Sequence, residues 1–418
     1  MPSVSRQSKI ASSETAREIN RDLLLHAVHR NQPVSRADLA RLSGLQPSTV
    51  SVIIGQLIDE GCLVAGAQGR LPRGRRPTFV MMNDRHVSLA IDLRPSTASV
   101  AVVDINGKLI SRENVELPRQ TRSREEVKQA FAKLATQARA LQADAADRIF
   151  GGVGVSVSGR VDPRTRQLVF APNVPWMVED FRKELEEALG SPVMVENAAN
   201  ACLYAARWFG ALGEVSNLIA VSVSDGVGAG LLVDGRLLHG HNGMAGEFGH
   251  MPIAEDGPLC GCGNRGCWEM LASNQAGLRY YKELVPESGL VSFQQLLDLA
   301  TAGDIHALRS IDRMTAALAR GLSILSAGLA PEVIQIVGDC TALWPRIAPL
   351  IESRLIAASF TSYTPRVVPA TEGSVARLRG AAALVFHRLL FRHAEFNSAS
   401  PAAELPASEM RPIDPAFQ

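Results

Sequence analysis

Three cysteines fall within eight residues of this 418-residue chain, in the run Cys260-Gly-Cys262-Gly-Asn-Arg-Gly-Cys267. Three soft thiolates on a short glycine-rich loop can turn toward one ion, and a tetrahedral Zn²⁺ site then needs a fourth ligand. His250, ten residues before Cys260, is the best candidate. Four protein ligands close the coordination sphere, so such a metal is structural rather than catalytic. The alternative reading of the same residues is a set of buried or redox-active thiols.

The elements that must hold this cluster belong to a two-part chain. Hydrophobic residues make up 46% and charged residues 20%, a soluble globular composition. No stretch reaches the roughly 18 uninterrupted apolar residues of a membrane helix, and MPSVSRQSKI has no apolar secretory segment, so a cytoplasmic location and no membrane partner are expected. The net charge of +1 conceals an asymmetry: residues 1–77 hold 11 Lys and Arg against 6 Asp and Glu, leaving 32 against 36 in the rest. A basic head on a mildly acidic body suits a chain in which the head alone touches phosphates.

The head, residues 16–83 after a flexible start at 1–15, carries helical spacing at Ile19, Leu23, Leu24, Ala27 and Val28 between Glu18 and Arg30. Ser35 and Asp38 form a capping-box pair that opens a second helix, Gly44 supplies a turn, and Pro47 starts a third helix with Val50, Ile54 and Leu57 as its buried stripe. This order predicts a helix-turn-helix in which Gln46, Ser48, Thr49 and Ser51 face DNA. CLVAG and PTFVMM read as strands around a basic wing, with Arg70, Arg73, Arg75 and Arg76 on phosphates or in the minor groove. A small helical interaction module with a solvated Arg-rich loop is the competing reading.

Beyond residue 83, strands at 88–92, 97–104, 151–158 and 192–196 alternate with helix-like runs at 124–144 and 178–189. A second set opens near Ser216 with NLIAVSVS and continues through helices at 304–328 and 342–356. The expected fold class is α/β: two lobes with mixed sheets and a cleft, spanning 84–395, with lobe one at about 84–206 plus a C-terminal helix and lobe two at about 207–375. The Pro/Ala/Ser-rich tail at 396–418 is expected to be disordered.

Together SRADLARLSGLQPSTVS, DGVGAG, GMAGEFGH and CGCGNRGCWE resemble the ROK family (repressors, open reading frames and sugar kinases), in its repressor branch, from about Glu18 to Leu390. The resemblance implies an N-terminal winged helix-turn-helix, an actin/hexokinase-like body of ribonuclease H-like type, a sugar site in the cleft and a homodimer or tetramer. It matches His250 to the zinc histidine, and Glu247, His250, Glu269, Asn197 and Gly159 to sugar-contact positions. Carboxylates and a ring nitrogen suit adjacent sugar hydroxyls, although Glu247 and Glu269 could equally be surface or capping residues.

The chemistry of a kinase is less well represented. Family kinases open the body with an Asp-hydrophobic-Gly-Gly-Thr phosphate turn, whereas this chain has Asp92-Leu93-Arg94-Pro95-Ser96-Thr97. Proline offers no amide donor, so ATP binding is not expected. The glycines of Ser224–Gly230 fit either a phosphate segment or a tight turn between strands. The family's Asn-Asp-Ala-Asn base position reads Asn197-Ala198-Ala199-Asn200, and a methyl group cannot act as a general base, so no catalytic residue is assigned. The expected function is a sugar-responsive regulator, chiefly a repressor, acting on double-stranded operator DNA. A bifunctional sugar kinase and a regulator controlled by protein docking are the alternatives.

Overall fold

The computed structural model describes residues 13–68, 78–117, 124–171, 181–210, 212–213, 215–290, 292–359, 363–373 and 375–391. They divide into two compact units: one is the head up to His86 together with the residues from His387 onward, the other Val87–Phe386. The expected body of 84–395 thus extends beyond the second unit at both ends. The terminal stretches 1–12 and 392–418, and with them the expected tail, lie outside the described residues.

The first unit runs α1 (Ser13–Asn31), β1 (Val34–Ser35), α2 (Arg36–Ser43), α3 (Pro47–Asp59), β2 (Leu63–Gln68) and β3 (Thr78–Met82). Helix α1 begins inside the stretch expected to be flexible. Its buried stripe is Leu24, Leu25 and Val28, while Ile19 is 52% exposed. At 100° per residue Ile19 falls on the opposite face, so it does not belong to the core stripe. The capping box forms as expected: Ser35 Oγ accepts from the Asp38 amide at 3.2 Å, and the Ser35 amide donates back to Asp38 Oδ2 at 3.4 Å. Such a cap is worth about 1 kcal/mol. Gly44 ends α2 in the left-handed region, and Pro47 opens α3, which buries Val50, Ile53, Ile54 and Leu57. The antiparallel sheet β1-β3-β2 completes the order of a winged helix-turn-helix. The chain returns to this unit at its far end: Arg21 donates to the Leu390 carbonyl at 2.8 Å, and His26 stacks on Phe391 with centroids 3.9 Å apart.

In the second unit, lobe one contains β4 (His86–Leu93), β5 (Thr97–Asp104), β6 (Leu109–Glu116), α4 (Arg124–Asp144), β7 (Ile149–Val157), β8 (Arg160–Val161), β9 (Leu168–Phe170), α5 (Phe181–Leu189), β10 (Val193–Asn197) and α6 (Ala198–Phe209). Lobe two follows with β11 (Leu218–Val223), β12 (Val227–Val233), β13 (Arg236–Leu237), α7 (Trp268–Ala272), α8 (Asn274–Leu284), α9 (Phe293–Thr301), α10 (Ile305–Leu329), β14 (Val333–Val337), α11 (Trp344–Ala358) and β15 (Arg366–Pro369). Helix α12 (Ala376–Leu390) closes the order. The two five-stranded sheets are β10-β7-β4-β5-β6 and β13-β12-β11-β14-β15, both mixed as expected. Every residue of central β4 is buried, whereas edge strand β6 exposes much of its length. Among the described residues no helix is long and apolar enough to cross a membrane.

Candidate functional site

The cysteine loop folds on its own glycines. Leu259 and Arg265 form an isolated bridge, the Cys260 amide donates to the Asn264 carbonyl at 2.8 Å, and Gly266 turns at φ +64° where any Cβ would strike the Ala254 carbonyl. From behind, the fully buried Trp268 fixes the loop: its Nε1 donates to the Ala317 carbonyl, and its ring lies where a Cβ on Gly321 of α10 would be.

This arrangement brings one ligand atom each from His250, Cys260, Cys262 and Cys267 within 4.8 Å of one another. Cys262 Sγ and Cys267 Sγ are 3.6 Å apart, and Cys260 Sγ lies 3.5 Å from His250 Nδ1. Zn–S and Zn–N bonds of ordinary length give tetrahedral edges of roughly 3.4–3.8 Å, so the four residues fit zinc. No disulfide joins any of the six cysteines. Burial pushes the Cys267 thiol up to about 11 and Cys260 higher still, so these two would need a cation beside them as thiolates.

A cavity of about 490 Å³ adjoins this cluster and is lined by Gly159, Asn197, Glu247, His250 and Glu269, all five expected sugar-contact residues, with Ala198 among them. His250 Nε2 faces Glu247 Oε2 at 3.8 Å while its Nδ1 faces Glu269 Oε1 at 3.5 Å, and that carboxylate also accepts from Cys260 Sγ at 3.0 Å. Burial raises the Glu247 carboxyl above its ordinary range, against the pull of His250 and Arg160. Asn197 is largely spent on the protein: its Oδ1 caps α6 through the Ala199 and Asn200 amides, and its Nδ2 donates to the Gly159 carbonyl at 2.6 Å. One N–H remains for a ligand. Gly159, at φ +146°, leaves no room for a Cβ beside the Phe170 carbonyl.

A winged-helix head, a Cys/His cluster and a two-lobed cleft on one chain have a counterpart among known proteins: the ROK family model matches residues 88–388. The chain belongs to the ROK family. It is similar to the xylose repressor of Bacillus spizizenii, 31% identical over 386 residues that cover 91% of this chain and 98% of the repressor. Among solved structures, a ROK family glucokinase from Streptomyces griseus in complex with glucose and AMPPNP matches at 28% identity and a TM-score of 0.63, over 71% of this chain and 98% of that one. A ROK family transcriptional regulator, a homolog of the E. coli MLC protein, shares the fold at a TM-score of 0.69 and 24% identity, over 90% of this chain and 99% of that one.

At the other end of this ROK cleft, Asp92 is 2% exposed and held between two arginines. Arg94 Nε donates to its Oδ2 at 2.9 Å; Arg377 Nε lies 2.8 Å from Oδ1, off the line of a good hydrogen bond, so that contact is ionic. Arg94 also reaches toward Asp339 at 4.0 Å, and Arg377 donates to Ser158 Oγ at 3.1 Å. The Ser224–Gly226 segment is the turn between β11 and β12, and Gly230 lets β12 approach the Ala199 carbonyl of α6.

In the head, Gln46, Ser48 and Ser51 are exposed and Thr49 is half-buried at the start of α3. Arg70, Arg73, Arg75 and Arg76 lie outside the described residues. Sequence reasoning missed Val52, which is 58% exposed beside Ser51. It also missed Glu196, a buried carboxylate met by Arg166, Asn200 Nδ2 and, at 3.7 Å, His239.

Proposed function

We propose that this chain is a transcriptional repressor whose cleft binds a sugar without phosphorylating it and whose head reads double-stranded operator DNA. The observation that carries the reading is the contrast within one cavity: Glu247, His250 and Glu269 line it, while the base position is Ala198 and the Asp92 charge is consumed by Arg94 and Arg377. The similarity to a xylose repressor makes xylose the first sugar to test. On the DNA side, Gln46, Ser48, Thr49 and Ser51 meet base edges or phosphates, and Val52 offers an apolar contact of the kind that reads a thymine methyl. Arg70, Arg73, Arg75 and Arg76 form the basic wing, and a homodimer presents two heads to two half-sites. Zinc held by His250, Cys260, Cys262 and Cys267 is structural: it fixes the loop carrying Glu247 and Glu269. The protein works in the cytoplasm.

The test is binding of the full chain to DNA fragments that it selects from a random library, titrated with xylose and other monosaccharides, beside an ATP-dependent phosphorylation assay on the same preparation. A sugar should shift DNA affinity roughly 5- to 150-fold, the range of ordinary allosteric coupling, with no turnover. Robust phosphorylation would overturn the reading.

A further inference from the structure

The arginines around the cleft differ in how they are partnered. Arg377 and Arg94 share Asp92, Arg166 meets Glu196, and Arg279 donates to the Met270 carbonyl and lies 3.9 Å from Glu283. Arg160 lines the same cavity as Glu247 and Glu269, yet among the described residues no carboxylate lies within 4 Å of its guanidinium. Its Nε is buried with no hydrogen-bond partner, and its one aromatic contact is the face of Phe170, 5.9 Å from the ring centre. Glu247 faces His250 and feels the Arg160 charge only from beyond ion-pair distance, and Asp162 accepts from the Arg164 and Thr165 amides.

We propose that Arg160 is a specificity-determining residue that receives a negatively charged substituent, carboxylate or phosphate, on the sugar. This rests on the reading of the cleft as a sugar site and adds the class of sugar. Arg160 is half-buried with only its Nε fully so, and an anionic oxygen in the cavity would answer the guanidinium's charge and its other N–H groups. The hairpin fixes the group in place: Arg160 pairs with Phe170 across β8 and β9, directly after Gly159, whose carbonyl anchors Asn197. The acidic wall of Glu247 and Glu269 suits hydroxyls, and among the described cavity-lining residues Arg160 is the arginine with no carboxylate within 4 Å.

Isothermal titration of the full zinc-bound chain tests this with matched probes: glucose, glucuronate and glucose 6-phosphate; galactose and galacturonate; xylose and xylonate. Inorganic phosphate and acetate serve as charge without sugar. At least one acid or phosphate should bind about 10-fold or more tighter than its neutral parent, and the member that does so tells carboxylate from phosphate. Arg160→Gln should abolish that preference with neutral-sugar affinity unchanged, and Arg160→Lys should keep part of it. No preference for any anionic sugar, or a preference that survives in Arg160→Gln, or inorganic phosphate or acetate binding as tightly as the sugars, would overturn the proposal. If neutral sugars bind and Glu247→Gln weakens them while no anion preference exists, Arg160 loses its role and the sugar site stands. If no sugar binds at all, both fall.

Discussion

The two ends of the cleft treat charge in opposite ways. At the end beside the Cys/His cluster, Glu247 is 38% exposed at its side chain and His250 22%, and both line the cavity. At the far end, Asp92 and Arg377 are 2% and 4% exposed at their side chains and answer one another. A buried carboxylate already paired with two guanidiniums has little left to offer a ligand, and separating it from them would expose a costly uncompensated charge. Within one cleft, Glu247 and His250 thus keep polar atoms toward the cavity while the Asp92 charge is spent within the protein. The partners that take up the Asp92 charge are one residue after β4, Arg94, and one on the last helix, Arg377.

Three experiments break or sharpen this contrast. The largest effect belongs to Cys262→Ser. Zinc should fall from one per chain to well below one in metal analysis, with loss of a sizeable part of the roughly 10–16 kcal/mol that a structural zinc can contribute, read as a lower melting temperature. Full zinc occupancy in the variant would remove the metal end from the comparison. Next comes Arg377→Met, which strips one partner from a buried acid and should cost about 3–5 kcal/mol in urea unfolding. A cost below 1 kcal/mol would mean that the far end is not held by this pair. Smallest is Ala198→Asp: it restores a carboxylate at the base position but leaves Arg94 and Pro95 in the phosphate turn, so ATP-dependent sugar phosphorylation should stay at background. Measurable turnover would show that the far end is not closed.

What could be read in advance was local. The capping box at Ser35 and Asp38, the turn at Gly44 and the cysteine spacing each depend on residues within about ten positions of one another, and each reappears in the structure with the expected geometry. Helix 124–144 was legible to the residue from its amphipathic repeat. The closed end of the cleft was not. Arg377 contacts the Leu93 carbonyl from 284 positions away, and nothing in GSVARLRG marks that arginine as the partner of a distant aspartate. Arg160 escaped notice for the reverse reason: its interest lies in which acids fail to reach it, and only three-dimensional placement reveals that. The exposure of Ile19 shows a third limit, since helical spacing identifies a stripe but not which apolar neighbours lie outside it.

The first unit takes some of its pieces from beyond the second unit in chain order. A ribosome delivers α1 through β3, then the roughly 300 residues of the other unit, and only then the Leu390 carbonyl that Arg21 grips and the Phe391 ring that stacks on His26. At translation speeds of about 5–20 residues per second, that is an interval of ~15–60 s in which α3 already exists but its unit lacks these contacts. The helix-turn-helix unit is thus begun before the other unit and finished after it, and a chain interrupted anywhere before His387 carries it without these contacts.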